Sequence, residues 1–311
     1  MSKHRDHGGG IDAAAARFGG ERADWLDLST GINPVPYPIG DISKDAWTAL
    51  PDAAATDALI QAAREFWNIP KEAAILPAPG ASSLIARIPS LWPRGHVAIQ
   101  KPTYNEHAGA FDAQGWQVSG DIGSVQVVVH PNNPTGRLWS ETELTAPFTV
   151  IDESFCDVAP EQSHIARATQ NDTIVLKSFG KFWGLAGLRL GFAIAHPDTI
   201  HRLSTMIGPW AVSGPALRIG ANALNDQAWA KITRLRLAQD SARLDALMTS
   251  KGATGLGGTT LFRLYEVDDA RAWQERLAQK QVWSRIFPYS DKWLRLGLPA
   301  PDRWDQLEAA L

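Results

Sequence analysis

The sequence predicts an α/β protein built on a mainly parallel sheet, followed by a smaller α+β unit. Three observations carry this expectation. Five apolar, β-rich runs recur: HVAIQKPTY, VQVVVHPNNPTG, FTVIDESF, TIVLKSFG and RLGFAIAHP. Each ends on polar or glycine-containing residues, with helical or loop stretches between them. From about residue 216 the rhythm changes to a long stretch rich in Ala, Leu, Arg and Gln, then GTTLFRLYEV, a helical segment and WLRLGLP. Alternation of short strands with helices is the signature of a parallel sheet covered on both faces.

The elements follow in order. IDAAAARFG reads as a short helix ended by Gly19. TGINPVPYP, residues 30–38, holds too many prolines for a regular helix. Ala53 to Trp67 reads as a helix, and AAILPAPGAS as a strand running into a turn. Residues 216–250 read as one long helix or two, and a further helix is expected near Asp269 to Gln279. This gives an N-terminal arm over 1–40, a large domain over 41–225 and a small domain over 226–311. No internal repeat or low-complexity tract interrupts the chain.

Composition excludes several classes. With 311 residues, 44% hydrophobic and 20% charged, the chain is long enough for a sizeable core. A formal net charge of -3 argues against a non-specific nucleic-acid binder. The polar start MSKHRDHGGG shows no signal-peptide apolar region, and no apolar run reaches membrane-spanning length. The expected compartment is therefore the cytoplasm, with no membrane partner. The single cysteine, Cys156, leaves no internal disulfide and no multi-cysteine metal site. It reads as a small buried hydrophobe. Thirteen tryptophans, widely scattered, read as core and subunit-interface packing rather than a base-stacking array.

Polar residues collect where the strands end, the edge at which such sheets bind ligands. Lys181 follows the strand TIVLK in an apolar, glycine-rich setting of Phe179, Phe182, Trp183 and Gly184. It is either a surface loop lysine or a desolvated nucleophile. Ser178, Gly180 and Arg189 suit a phosphate grip by hydroxyl, backbone N–H and guanidinium fork; Arg189 equally suits an ion pair. Asp152, at the end of VID, suits a partner for a protonated ring nitrogen, an Mg²⁺ ligand, a helix cap or a catalytic base. Asn133 sits in a proline-flanked turn and presents a side-chain amide, or only fixes the turn. Ala81 and Ser82 lie at a strand-to-helix turn whose N–H groups favour an anion, although no P-loop motif is present. Tyr104 is a stacking aromatic or a core residue, and His107 a supporting or surface residue rather than a metal ligand. Arg295, in an alternating strand, is a carboxylate clamp or a solvent-facing residue.

In combination, PNNPTG, VIDESF and KSFGKFWGLAGLRLG, in that order, resemble the fold-type I pyridoxal 5'-phosphate (PLP) enzymes of the aspartate aminotransferase superfamily. The resemblance covers nearly the whole chain. It implies a PLP-binding large domain with a mainly parallel seven-stranded sheet, a small α+β domain, and a homodimer. It implies Lys181 as the Schiff-base lysine, Asp152 as the partner of the pyridine nitrogen and Asn133 as the contact of the ring hydroxyl oxygen. Tyr104 would stack on the ring, and Ala81, Ser82, Ser178 and Arg189 would cradle the phosphate. Arg295 would take the substrate α-carboxylate.

Two positions depart from the family pattern. Phe155 stands where relatives often carry a tyrosine that also bonds the ring hydroxyl. Leu50 stands where they often carry one that reaches the partner subunit. The opening HGGG, LDLSTGINP, PGAS, PTYNEH and LRLGLP are most similar to the threonine-phosphate decarboxylase branch, with histidinol-phosphate aminotransferases second. That branch implies a small phosphorylated amino-acid substrate, contacted by His7, Gly8 and Gly9 in a closing loop and by Asn33 of TGINP. No metal is implied.

Overall fold

A computed structural model describes residues 6–170 and 172–311. The chain forms two compact units. The larger comprises Tyr37–Asn133 and Arg137–Lys231; the smaller comprises Met1–Pro36, Pro134–Gly136 and Ile232–Leu311.

The larger unit holds the expected seven-stranded sheet. Its order is Ala74–Ala78, Gly191–Ala195, Thr173–Ser178, Phe148–Asp152, Val125–Val129, His96–Ala98 and Gln117–Ser119. Only Gly191–Ala195 runs against the others, pairing antiparallel with both of its neighbours. The central strands are continuous apolar runs because both faces are covered: Val125, Val127, Val150, Ile174 and Leu176 are all buried. The helix Ala53–Phe66 starts where Asp52 accepts a hydrogen bond from the Ala55 N–H at 2.9 Å, and buries Leu59, Ala62, Ala63 and Phe66. The stretch after residue 214 resolves into two helices, Gly214–Asn225 and Gln227–Ser250. The first begins on a Ser213 cap with proline in its first turn.

Several tryptophans pack as expected. Trp183 is fully buried between Phe179 and Trp229, at centroid distances of 5.1 and 5.3 Å and nearly parallel. Trp47 and Trp210 are instead exposed.

The smaller unit contains a four-stranded antiparallel sheet in the order Arg285–Phe287, Ser290–Gly297, Phe262–Glu266 and Thr254–Thr259. A short parallel pair joins Leu26–Asp27 to Val282–Trp283. The helix Ile11–Phe18 ends at Gly19, whose φ of 83° lies in the region glycine adopts without strain. Helices Ala270–Ala278 and Trp304–Ala310 complete the unit.

The core of the larger unit also contains charge. The ammonium of Lys177 lies 2.6 Å from Glu153 Oε2 and 3.9 Å from Asp157 Oδ1, and all three side chains are buried. Glu153 further accepts from Ser163 Oγ and the His164 N–H, each at 2.6 Å. Burial pushes the Lys177 pKa down, but the charges of Glu153, Cys156 and Asp157 and the hydrogen bond to Glu153 together outweigh it, and the net shift is upward. A raised lysine pKa stabilises the fold fully below the unfolded value of about 10.4 and ceases to do so as pH rises through the folded value. Lys177→Met strands a carboxylate in the core and is expected to cost about 3–5 kcal/mol. The check is a fall in the denaturant midpoint; an unchanged midpoint would show that the pair carries no such weight.

Candidate active site

The carboxyl ends of the central strands place the sequence-derived candidates together. Asp152 ends Phe148–Asp152, Ser178 ends Thr173–Ser178, and Asn133 lies in the turn after Val125–Val129. Tyr104 precedes the helix Asn105–Ala113, and Ala81 and Ser82 open the helix Ala81–Ile85. One cleft in the larger unit is lined by Ala81, Ser82, Tyr104, Asn133, Asp152, Ser178, Lys181 and Arg189. Ile85, Val129, Ser154, Phe155, Gly180 and Ala186 complete its wall.

Asp152 is buried. Its Oδ2 is 2.8 Å from His107 Nε2, and its Oδ1 accepts from the Ser154 hydroxyl at 2.5 Å and the Ser154 N–H at 3.0 Å. Burial pushes this carboxyl up, but the bond to His107 and its charge, together with the two Ser154 bonds, hold it below the ordinary range. The cleft thus has a fixed negative charge in its wall. His107, read in the sequence as a supporting or surface residue, is a buried support. It lies three residues after Tyr104, on the first turn of the helix, and its ring meets the tyrosine edge-on at 6.1 Å. Ser154 was legible only as part of VIDES. A hydroxyl two residues after an aspartate is the spacing of a local turn, and that is the signal that identifies it.

At another part of the cleft, Arg189 lies against Gly80. A Cβ on Gly80 would come within 2.5 Å of Arg189 Nη2, and Gly80 has φ +80°. Only glycine admits the guanidinium so close to the backbone that leads into Ala81 and Ser82. Arg189 itself takes a left-handed conformation, φ 55°, and Nη1 donates to the Ala186 carbonyl at 2.9 Å. Ser178 Oγ accepts from the Gly180 N–H at 3.2 Å, which shapes the turn carrying Lys181. Lys181 Nζ sits 5.2 Å from the centroid of the Phe155 ring. The cleft therefore combines anion-binding donors, one amine and one buried carboxylate, a set suited to a small, planar, phosphorylated molecule. Among the described residues, no group of three or more His, Cys, Asp or Glu could hold a metal ion.

The remaining candidates belong to the smaller unit. Arg295 is buried, and Nη2 donates to the Ser29 carbonyl at 2.5 Å. Burial, and then the charge of its cross-strand neighbour Arg285, lower its pKa to about 10. Of the two sequence readings, the solvent-facing one is thereby excluded. The segment His7–Gly9 is built against the same region. The His7 carbonyl accepts from Arg285, the Gly9 N–H donates to Ser29 Oγ at 2.6 Å, and the Gly9 carbonyl accepts from Trp283 Nε1 at 3.0 Å. A Cβ on Gly8 would lie 2.4 Å from the Ser29 carbonyl oxygen. Asn33 is buried, with Oδ1 accepting from the Val35 N–H at 3.1 Å and from Arg236 Nη2 at 2.5 Å. Leu50, in the larger unit, is exposed. Cys156 is fully buried, and burial raises its thiol pKa. No helix among the described residues is long and apolar enough to cross a membrane.

Comparison with known proteins agrees with this geometry. Residues 121–310 match the family described as aminotransferase class I and II. The chain is 42% identical to a threonine-phosphate decarboxylase of a Sinorhizobium species, over 97% of this chain and 95% of that protein. It is 37% identical to a threonine-phosphate decarboxylase of Pseudomonas aeruginosa, over 98% and 97%. In fold it is similar to the histidinol-phosphate aminotransferase of Sinorhizobium meliloti, solved in complex with pyridoxal 5'-phosphate. The TM-score is 0.82 at 19% identity, covering 97% of this chain and 93% of that one. The architecture expected from the motifs is therefore the one observed, and the chain belongs to the class I and II aminotransferase family.

Proposed function

We propose that this enzyme is a PLP-dependent decarboxylase of L-threonine O-3-phosphate, forming (R)-1-aminopropan-2-ol O-phosphate and CO₂ in cobalamin biosynthesis. The observation that carries the reading is full-length similarity, at 42% and 37% identity, to two proteins of that name. The cleft supports it, because its residues fit PLP. Bound PLP supplies an electron sink for the pair released when a bond to the amine-bearing carbon breaks.

In this reading Lys181 would hold the cofactor covalently and, when free, would serve as the base or acid that moves the proton. Asp152, held ionised by His107 and Ser154, keeps a proton on the ring nitrogen. Asn133 donates to the ring hydroxyl oxygen, and Tyr104 covers the ring face. The Ala81 and Ser82 end of the short helix, the Ser178 hydroxyl and Arg189 take the cofactor phosphate. Arg295 takes the substrate carboxylate; burial first, and then the charge of Arg285, lower its pKa, and a bound anion offsets both. His7, Gly8, Gly9 and Asn33 serve the substrate side. A cytoplasmic homodimer and a large domain over 41–225, with small-domain segments on both sides, belong to the same proposal.

Decarboxylation and amino transfer differ in which bond stands perpendicular to the ring. Binding energy from the remote substrate phosphate can fix that choice. The test supplies L-threonine phosphate and measures CO₂ and aminopropanol phosphate, with histidinol phosphate plus 2-oxoglutarate alongside. The two products of the first substrate are expected in equal amounts. Amino transfer without CO₂ release would reverse the assignment.

A further inference from the structure

Asp157, the outer carboxylate of the buried Lys177 cluster, makes two further hydrogen bonds to which the reading above gives no task. It lies in the short turn Cys156–Val158, two residues after Phe155. Its Oδ1 accepts from Trp67 Nε1 at 2.8 Å and its Oδ2 from Trp183 Nε1 at 3.0 Å. Burying a carboxylate is costly, and the charge of Lys177, 3.9 Å from Oδ1 and paired more closely with Glu153 at 2.6 Å, offsets part of that cost. The Trp183 bond has a consequence for the cleft. Trp183 is two residues after Lys181, and Lys181 Nζ lies over the ring of Phe155. Two contacts and two short stretches of chain therefore close a ring: Phe155 to Asp157 along the chain, Asp157 to Trp183 by a hydrogen bond, Trp183 to Lys181 along the chain, and Lys181 back to Phe155. Trp183 cannot drift within this ring, because it is stacked between Phe179 and Trp229.

We propose that Asp157 and Trp183 are positioning residues that act through Lys181, holding its amine over the Phe155 face and so fixing the direction from which it meets the cofactor. Trp67 supplies the natural control. It bonds the same carboxylate, yet belongs to a different segment, directly after the helix Ala53–Phe66, and packs edge-on against Phe192 at 5.0 Å. A purely structural role for Asp157 would make the two indoles equivalent.

The inference rests on Lys181 being the cofactor anchor. The experiment uses the full-length protein loaded with PLP and follows the visible absorbance of the covalent lysine link from pH 5 to 10. In Trp183→Phe the titration midpoint is expected to move by about half a pH unit or more, since the electrostatic surroundings of the lysine nitrogen change. In Trp67→Phe the midpoint stays where it is in the wild type, although thermal stability falls in both. Asp157→Ala, which removes the shared acceptor, is expected to reproduce the Trp183→Phe shift and serves in its place if Trp183→Phe does not fold. Equal shifts in the two tryptophan variants, or no shift in Trp183→Phe or in Asp157→Ala, would overturn the proposal. Absence of the absorbance from the wild-type protein would instead overturn the cofactor reading beneath it.

Discussion

Lys181→Ala is expected to abolish the covalent cofactor signal and to lower kcat by on the order of 10³-fold or more, as loss of both a nucleophile and a proton carrier does. The neighbouring Lys177 cannot substitute. Its side chain is locked against Glu153 at 2.6 Å, and its raised pKa keeps it protonated and non-nucleophilic near neutral pH. Lys181 lies instead on the cleft wall beside Ser178, Gly180 and Phe155. Borohydride reduction followed by peptide mass mapping separates the two. The adduct should map to Lys181 in the wild type and vanish in the variant. A persistent adduct, at Lys177 or elsewhere, would sink the assignment.

Asp152→Asn is expected to keep the covalent cofactor and lose most of the turnover, with kcat falling by roughly 10²–10⁴-fold. The replacement is nearly isosteric and can still accept from Ser154, so the loss reports charge rather than shape. The sign of the pH dependence is fixed. Asp152's folded pKa is depressed, so its contribution to stability is present above the unfolded value of about 3.9 and disappears as pH falls through the lower folded value. An acidic limb of the activity profile near pH 6 thus belongs to another group. Stopped-flow absorbance with substrate, measured from pH 5 to 9, checks both points. Unchanged kcat in the variant would mean that the ring nitrogen needs no anionic partner here.

The strands could be read from the sequence because their residues are apolar on both faces, which leaves few other places for VQVVV or TIVLK. The ligand edge was legible for the same reason, as Asp152, Ser178 and Asn133 stand where those runs stop. What stayed hidden depends on pairing across the chain. That Gly191–Ala195 runs antiparallel follows from the sharp turn around Arg189, whose left-handed backbone leaves no mark in a sequence pattern. The buried charge cluster unites Lys177 and Glu153, which stand next to the cleft residues Ser178 and Asp152, with Asp157 of the following turn, so each looked like an ordinary polar residue beside a more conspicuous neighbour. The bond from His107 to Asp152 spans 45 positions and has no local signature. Motif order supplied Lys181 and its partners, but the architecture behind them is a property of the assembled sheet.

The antiparallel strand has a consequence for how the enzyme matures. Ala74–Ala78 is hydrogen-bonded to Gly191–Ala195, more than a hundred residues later, so Gly80, Ala81 and Ser82 meet Arg189 only when that late pairing forms. Closing so long a loop is among the slow events of folding, since its entropy must be lost before the contacts compensate. A chain in which these two strands have not yet paired therefore lacks the close approach of Arg189 to Gly80.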